Sequence, residues 1–184
     1  LLDDPAVAGF VVNARDVTDR KRAEARASHL ALHDATTGLP NRALFVDRLS
    51  RSLELRHERV DRATTGVLEL GIDGFSVVNE SLGHDAGDEV LLEVAHRLAA
   101  ALRPGDTVAR LSGDQFAVLL DHLRDEAAAR DVVDRLQRAV GEPIVVDERE
   151  LLITASGGLA FADDDDTATN LLRQTEAAMF RAKA

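Results

Sequence analysis

Residues 109–120, ARLSGDQFAVLL, set two short apolar runs on either side of a polar tip, Ser112-Gly113-Asp114-Gln115. Apolar runs of this length bounded by turn residues read as strands, and two of them joined by a short tip read as a β-hairpin. The tip displays an acid and an amide together, as a site mounted on a rigid scaffold does. Working outward, residues 65–73, TGVLELGID, form a further strand through Val67, Leu68, Leu70 and Ile72. Residues 85–106, DAGDEVLLEVAHRLAAALRPGD, form an amphipathic helix stopped by Pro104-Gly105. Upstream, Gly38-Leu39-Pro40-Asn41 carries turn chemistry, and Leu44, Phe45, Leu49, Leu53 and Leu55 then recur at helical period. Downstream come a helix over 124–140, a second hairpin over 142–162 and a closing helix over 167–184. The order helix, strand, helix, hairpin, helix, hairpin, helix predicts an α+β fold, with helices flanking a central, mostly antiparallel sheet.

The 184 residues, 45% hydrophobic, suffice for one main core plus an appendage. A net charge of -11 and a pI near 4.9 disfavour nucleic acid or an anionic membrane as the main partner, since both need a basic face. Without Cys there are no disulfides and no thiolate metal sites, so a cytoplasmic setting is expected. The apolar run VLLEVAHRLAAAL is interrupted by Glu93, His96 and Arg97, too soon for membrane insertion. His33, His57, His84 and His96 lack ligand spacing and are read as non-catalytic. Asp163 to Asp166 read as a solvated loop. Residues 9–16, GFVVNARD, are strand-like, and helix-forming composition follows with Ala23, Ala27 and Leu30 at helical spacing. The start without Met reads as a piece excised from a longer chain.

Three stretches together resemble one family. LHDATTGLPNRALF (32–45), GIDGFSVVNESLGHDAGDEVL (71–91) and VARLSGDQFAVLL (108–120) look like the successive signatures of GGDEF domains, the diguanylate cyclases of bacterial second-messenger signalling. The likeness continues through ITASGGLAFA (153–162) and LLRQTEAAMFRAK (171–183). It implies a polymerase-palm-like, nucleotidyl-cyclase fold over 34–184, with the final segment truncated. GFVVNARDVTDRKRAE (9–24) resembles the end of a PAS sensor and its outgoing helix, which makes 1–18 a sensor remnant and 19–33 a linker helix. The resemblance implies condensation of two GTP into cyclic di-GMP by a homodimer. In that reaction a 3′-hydroxyl attacks an α-phosphate, pyrophosphate leaves, and two Mg²⁺ or Mn²⁺ ions hold the oxygens.

Residue by residue, the resemblance is incomplete. The position of the family's metal-binding Asp is Gly71, and the Glu of the signature turn is Gln115, with Ser112 for its first Gly. Asp114 is left as the carboxylate of the metal centre, with the Ile72 backbone carbonyl beside it as a weak second ligand. The family's phosphate-facing Lys after the Phe is Ser76, so only backbone N–H groups at Phe75 and Ser76, in the turn expected after the strand, remain there to cradle phosphates. If each lost group costs about 3 kcal/mol of transition-state stabilisation, two losses slow the reaction roughly 10⁴-fold. Glu69, two positions before Gly71 on the same strand face, lies about 6–7 Å too far back and reads as solvated.

The residues that contact guanine in the family map onto Asn79 and Asp88, both present; an Asp accepts guanine's N1–H and N2 amino group together. Lys183 matches a phosphate-contacting Lys of the closing helix. Arg103-Pro-Gly-Asp106 matches the family's inhibitory product site, and it matches ordinary helix-stop chemistry equally well. The expectation is a degenerate GGDEF domain that binds GTP or cyclic di-GMP as a regulatory module, with a phosphodiesterase domain downstream. The alternatives are a low-activity cyclase, or a dimerisation and signal-relay element without ligand.

Overall fold

The strand closest to a continuous apolar run becomes the centre of the sheet. In the computed structural model, which describes residues 29–56 and 63–183, β1 (Thr64–Ile72) is buried along nearly its whole length. Both of its faces are covered, which is why its sequence shows little alternation. β1 pairs antiparallel with β3 (Gln115–Leu123) on one side and β6 (Ala155–Phe161) on the other, and β2 (Thr107–Ser112) completes the order β2-β3-β1-β6. The hairpin read first in the sequence is thus β2–β3, half of an all-antiparallel sheet. The sensor remnant and most of the linker helix expected over 1–33 lie outside the described residues; 29–32 are helical.

Helices cover the two faces separately. On one side, Leu68, Leu70 and Ile72 meet α3 (His84–Ala100) through Val90, Leu91, Val94 and Leu98, and α4 (Glu126–Val140) through Val132, Leu136 and Val140. On the other, Val67 and the β3 residues Ala117 and Leu119 meet α1 (Arg42–Arg56) and α5 (Ala168–Lys183), which bring Phe45, Leu49, Leu171 and Leu172. Each fully buried leucine contributes about 2 kcal/mol to these cores. The starts of the helices are legible locally. The Asn41 side chain accepts the Leu44 N–H at 3.1 Å ahead of α1, and Asp125 caps α4 by accepting from Ala128 at 2.8 Å.

Three elements depart from the sequence expectation. Phe75 and Ser76, expected in a turn, open a further helix, α2 (Phe75–Leu82); Gly83, at φ 90°, separates it from α3. Flanking glycines hide so short a helix from periodicity. The long helix ends at Ala100, ahead of Pro104-Gly105, so Arg103 stands in the loop. The second hairpin divides: β4 (Ile144–Val146) and β5 (Arg149–Leu151) close a ribbon across Asp147 and Glu148, both at positive φ, while β6 leaves to join β1. A Cβ on Gly158 of β6 would lie 2.2 Å from the Thr175 carbonyl oxygen and 2.3 Å from the Met179 nitrogen, so only glycine lets α5 lie this close to the sheet.

Candidate functional site

The end of β1 and the start of β3 meet at the hairpin tip. Gly71 is the register partner of Gln115, so the two positions without a carboxylate are direct cross-strand neighbours on the same sheet face. The Ile72 N–H donates to the Asp114 carbonyl at 3.1 Å, which ties the end of β1 to the tip. Gln115 is occupied locally, its Oε1 accepting from the Ser112 hydroxyl at 3.1 Å. Arg110 braces the tip from behind, donating from Nε to the Gly113 carbonyl at 2.9 Å and from Nη1 to Asp34 Oδ1 at 2.9 Å. Burial pushes the Asp34 carboxyl up, but hydrogen bonds from the Thr37 hydroxyl and N–H, with Arg110, outweigh it and hold the group below its ordinary 3.8.

Asp114 and Ile72 share a cation, and it is a side chain. Lys183, in the last turn of α5, places Nζ 3.1 Å from Asp114 Oδ2 and 3.4 Å from the Ile72 carbonyl oxygen. Both side chains of the ion pair stay partly open, 27% exposed for Lys183 and 31% for Asp114. The second Asp of the strand end, Asp73, is spent elsewhere: it accepts from the Thr154 hydroxyl at 2.7 Å and the Ser156 hydroxyl at 2.8 Å, pinning the start of β6. Among the described residues, no group of three or more His, Asp or Glu side chains is placed to hold a metal ion.

Glu69 is not solvated as its sequence context suggested. It is 2% exposed beneath α5 and accepts from the Thr175 hydroxyl at 3.1 Å. Burial raises its carboxyl above the ordinary value, and the Thr175 bond only partly offsets this. Thr175, Met179 and Lys183 follow at four-residue spacing along α5, with Thr175 on Glu69 and both Met179 and Lys183 at Gly71.

On the opposite face, α2 and α3 hold the pair expected to read a base. A Cβ on Gly87 would meet Asn79 Oδ1 at 2.0 Å, so the bare glycine is what lets the Asn79 amide lie against α3. Asp88, exposed, follows Gly87 in the chain, and Phe75 closes the same corner. Gly74 precedes α2 without a side-chain cap, and the Phe75 and Ser76 N–H groups have no partner within the helix. The acid and base of residues 103–106 also come together: Arg103 Nε donates to Asp106 Oδ1 at 3.3 Å, and its Nη2 donates to the carbonyls of Asp121 and His122. The Asp106 side chain is 1% exposed, with Oδ2 buried and without a partner among the described residues.

Sequence reading missed the roles of Asp73, Glu69 and Arg110. The strand-end run Gly71-Ile72-Asp73, which keeps only the second acid of the family's pattern, was the available signal for Asp73; nothing local marks Glu69, because its burial depends on a helix about 100 residues away in the chain.

An antiparallel β2-β3-β1-β6 sheet with helices on both faces, its strand end and hairpin tip forming one site, defines the palm-like cyclase class. A family model described as "Diguanylate cyclase, GGDEF domain" matches residues 31–184, and the chain belongs to that family as a GGDEF domain of cyclic di-GMP signalling. It is 40% identical over 167 residues to the bifunctional diguanylate cyclase/cyclic di-GMP phosphodiesterase MucR of Pseudomonas aeruginosa, covering 90% of this chain and 24% of that protein. It is 37% identical over 163 residues to the cyclic di-GMP phosphodiesterase NbdA of the same organism, covering 88% and 20%. The solved GGDEF domain of TpbB, also from Pseudomonas aeruginosa, superposes with a TM-score of 0.77 at 40% identity, covering 82% of this chain and 88% of that one. The chain spans about a quarter or less of the two full-length relatives.

Proposed function

We propose that this domain is a degenerate GGDEF domain that binds guanine nucleotide, GTP or cyclic di-GMP, as a regulatory module and has lost most cyclase chemistry. One observation carries the reading: Gly71 and Gln115 are register partners, so both missing carboxylates are missing from one spot, leaving Asp114 paired to Lys183. Phosphoryl transfer clamped by two metal ions needs clustered anionic oxygens there, and Asp114 with the Ile72 carbonyl is a poor substitute. Any Mg²⁺ or Mn²⁺ would depend on the nucleotide's own phosphates.

Base recognition is retained in this reading. Asn79 and Asp88 take the guanine edge, the Phe75 and Ser76 N–H groups receive phosphate at the N-terminus of α2, and Arg103 with Asp106 takes cyclic di-GMP. The orphan oxygen of Asp106 supports that last assignment, since a buried acceptor costs about 1–3 kcal/mol until a donor reaches it. The module works as a homodimer in a cytoplasmic protein, between an upstream PAS sensor and a downstream phosphodiesterase domain. The phosphodiesterase activities named for MucR and NbdA support that partner. No helix among the described residues is long and apolar enough to cross a membrane.

Calorimetric titration tests the binding half. GTP is expected to bind, and Asp88→Ala to weaken it at least tenfold; an unchanged affinity removes the guanine site. Cyclic di-GMP is expected to bind and to lose affinity in Arg103→Ala but not in Asp88→Ala.

A further inference from the structure

Lys183 is one of only two lysines in the chain, and α5 delivers it to an unusual place. Its Nζ lies 2.6 Å, and its Cε 2.7 Å, from the point a Cβ on Gly71 would occupy. The ammonium therefore fills the space from which a carboxylate at position 71 would project. It takes Asp114 Oδ2 and the Ile72 carbonyl as acceptors, the two oxygens a divalent ion would need. Mg²⁺ asks for six oxygens at about 2.0–2.1 Å, and at these two it would crowd a fixed positive charge while gaining one carboxylate already neutralised. The donor set does not fit a divalent ion. It does fit an ammonium, which has three N–H donors and no acceptor. Two donors are spent on Asp114 and Ile72, which leaves the third for another acceptor, and the side chain is 27% exposed. The lysine is also well supported: it sits in the last turn of α5, where a cation complements the helix dipole.

We propose that Lys183 is the resident cation of this site: its ammonium holds Asp114 and the Ile72 carbonyl in place of a metal ion and donates its remaining N–H to the phosphate of a guanine nucleotide, which binds without a divalent ion. The ligand rests on the nucleotide-binding reading above; the lysine pairing does not. Gly71 is then the residue that makes room for the cation, as well as a lost ligand.

Two readouts on the full-length protein separate these claims. Without nucleotide, reductive methylation of Lys183, measured by peptide mass spectrometry against Lys21 in the same sample, is expected to be slow. Added Mn²⁺ is expected to leave it unchanged, and Asp114→Asn to speed it several-fold. If Mn²⁺ speeds it as Asp114→Asn does, a metal ion displaces the lysine and the proposal is overturned. With nucleotide, GTP affinity in EDTA is expected within threefold of that in Mg²⁺, and Lys183→Met to lower the EDTA affinity at least tenfold. Binding that requires Mg²⁺, or that survives Lys183→Met in EDTA, overturns metal-free binding. No binding in either buffer overturns the guanine-nucleotide reading itself, and the methylation result then decides the lysine pairing alone.

Discussion

The two faces of the sheet at the end of β1 have parted ways. At the hairpin tip, the positions that would concentrate negative charge are Gly71 and Gln115, and the remaining Asp114 is neutralised by Lys183. At the α2–α3 corner, Asn79 is still fitted against Gly87 and Asp88 stands free at the surface. A cyclase needs both regions, because base binding positions the nucleotide and the acidic tip does the chemistry. A binding module needs only the second. In the proposed reading, recognition and catalysis are separable because the two regions are built on opposite faces of one sheet end, by different helices.

The largest expected effect comes from rebuilding the weak region. Gly71→Asp together with Gln115→Glu should bring cyclic di-GMP formation from the level of the blank to a steady measurable rate, since two restored groups at about 3 kcal/mol each correspond to on the order of 10⁴ in rate. Gln115→Glu alone should do little, because Lys183 would still occupy the Gly71 side. Next in size is the packing that carries α5, and with it Lys183, to the tip. Gly158→Val would drive a side chain into the backbone of α5, and urea unfolding should show a loss of about 3 kcal/mol.

A smaller effect sharpens the contrast directly. Asp88→Ala should cost GTP affinity about 1.4 kcal/mol, a factor of ten, whereas Gln115→Ala should leave it within about twofold, as expected of a group making no decisive contact.

The smallest effects are two pH dependences of opposite sign. Glu69 is held above its ordinary 4.5 by burial, so the folded state keeps a proton the unfolded chain has already lost, and stability falls as pH rises through the folded value. Glu69→Gln should therefore raise Tm at pH 8 and change it little at pH 4. Asp34 is held below 3.8, burial being outweighed by Thr37 and Arg110, so its contribution is present above that pH and is lost as pH falls through the folded value. Asp34→Asn should cost about 1 kcal/mol at pH 7 and progressively less as the pH is lowered through the folded value, by denaturant titration across the acid range.

Much of this was legible in the sequence because it was local. The tip SGDQ, the strand ending at Ile72 and the amphipathic α3 each carry their own period and turn chemistry, and the substitutions at 71, 76 and 115 are single letters against a spaced motif. What escaped was set by distant packing. Glu69 reads as a solvated strand residue until α5 is laid over it, and α5 can approach only because residue 158 has no side chain. The short helix α2 hid between Gly74 and Gly83, where a turn was the simpler reading. The pairing of Lys183 with Asp114 joins residues 69 positions apart, and spacing alone could place that lysine only near phosphate.

The most direct test of the central claim is product formation. The protein, incubated with GTP and either Mg²⁺ or Mn²⁺ and assayed by mass spectrometry for cyclic di-GMP, should yield none above the protein-free blank while still binding GTP. Steady cyclic di-GMP formation that disappears in Asp114→Ala would contradict the account and make this domain a working cyclase.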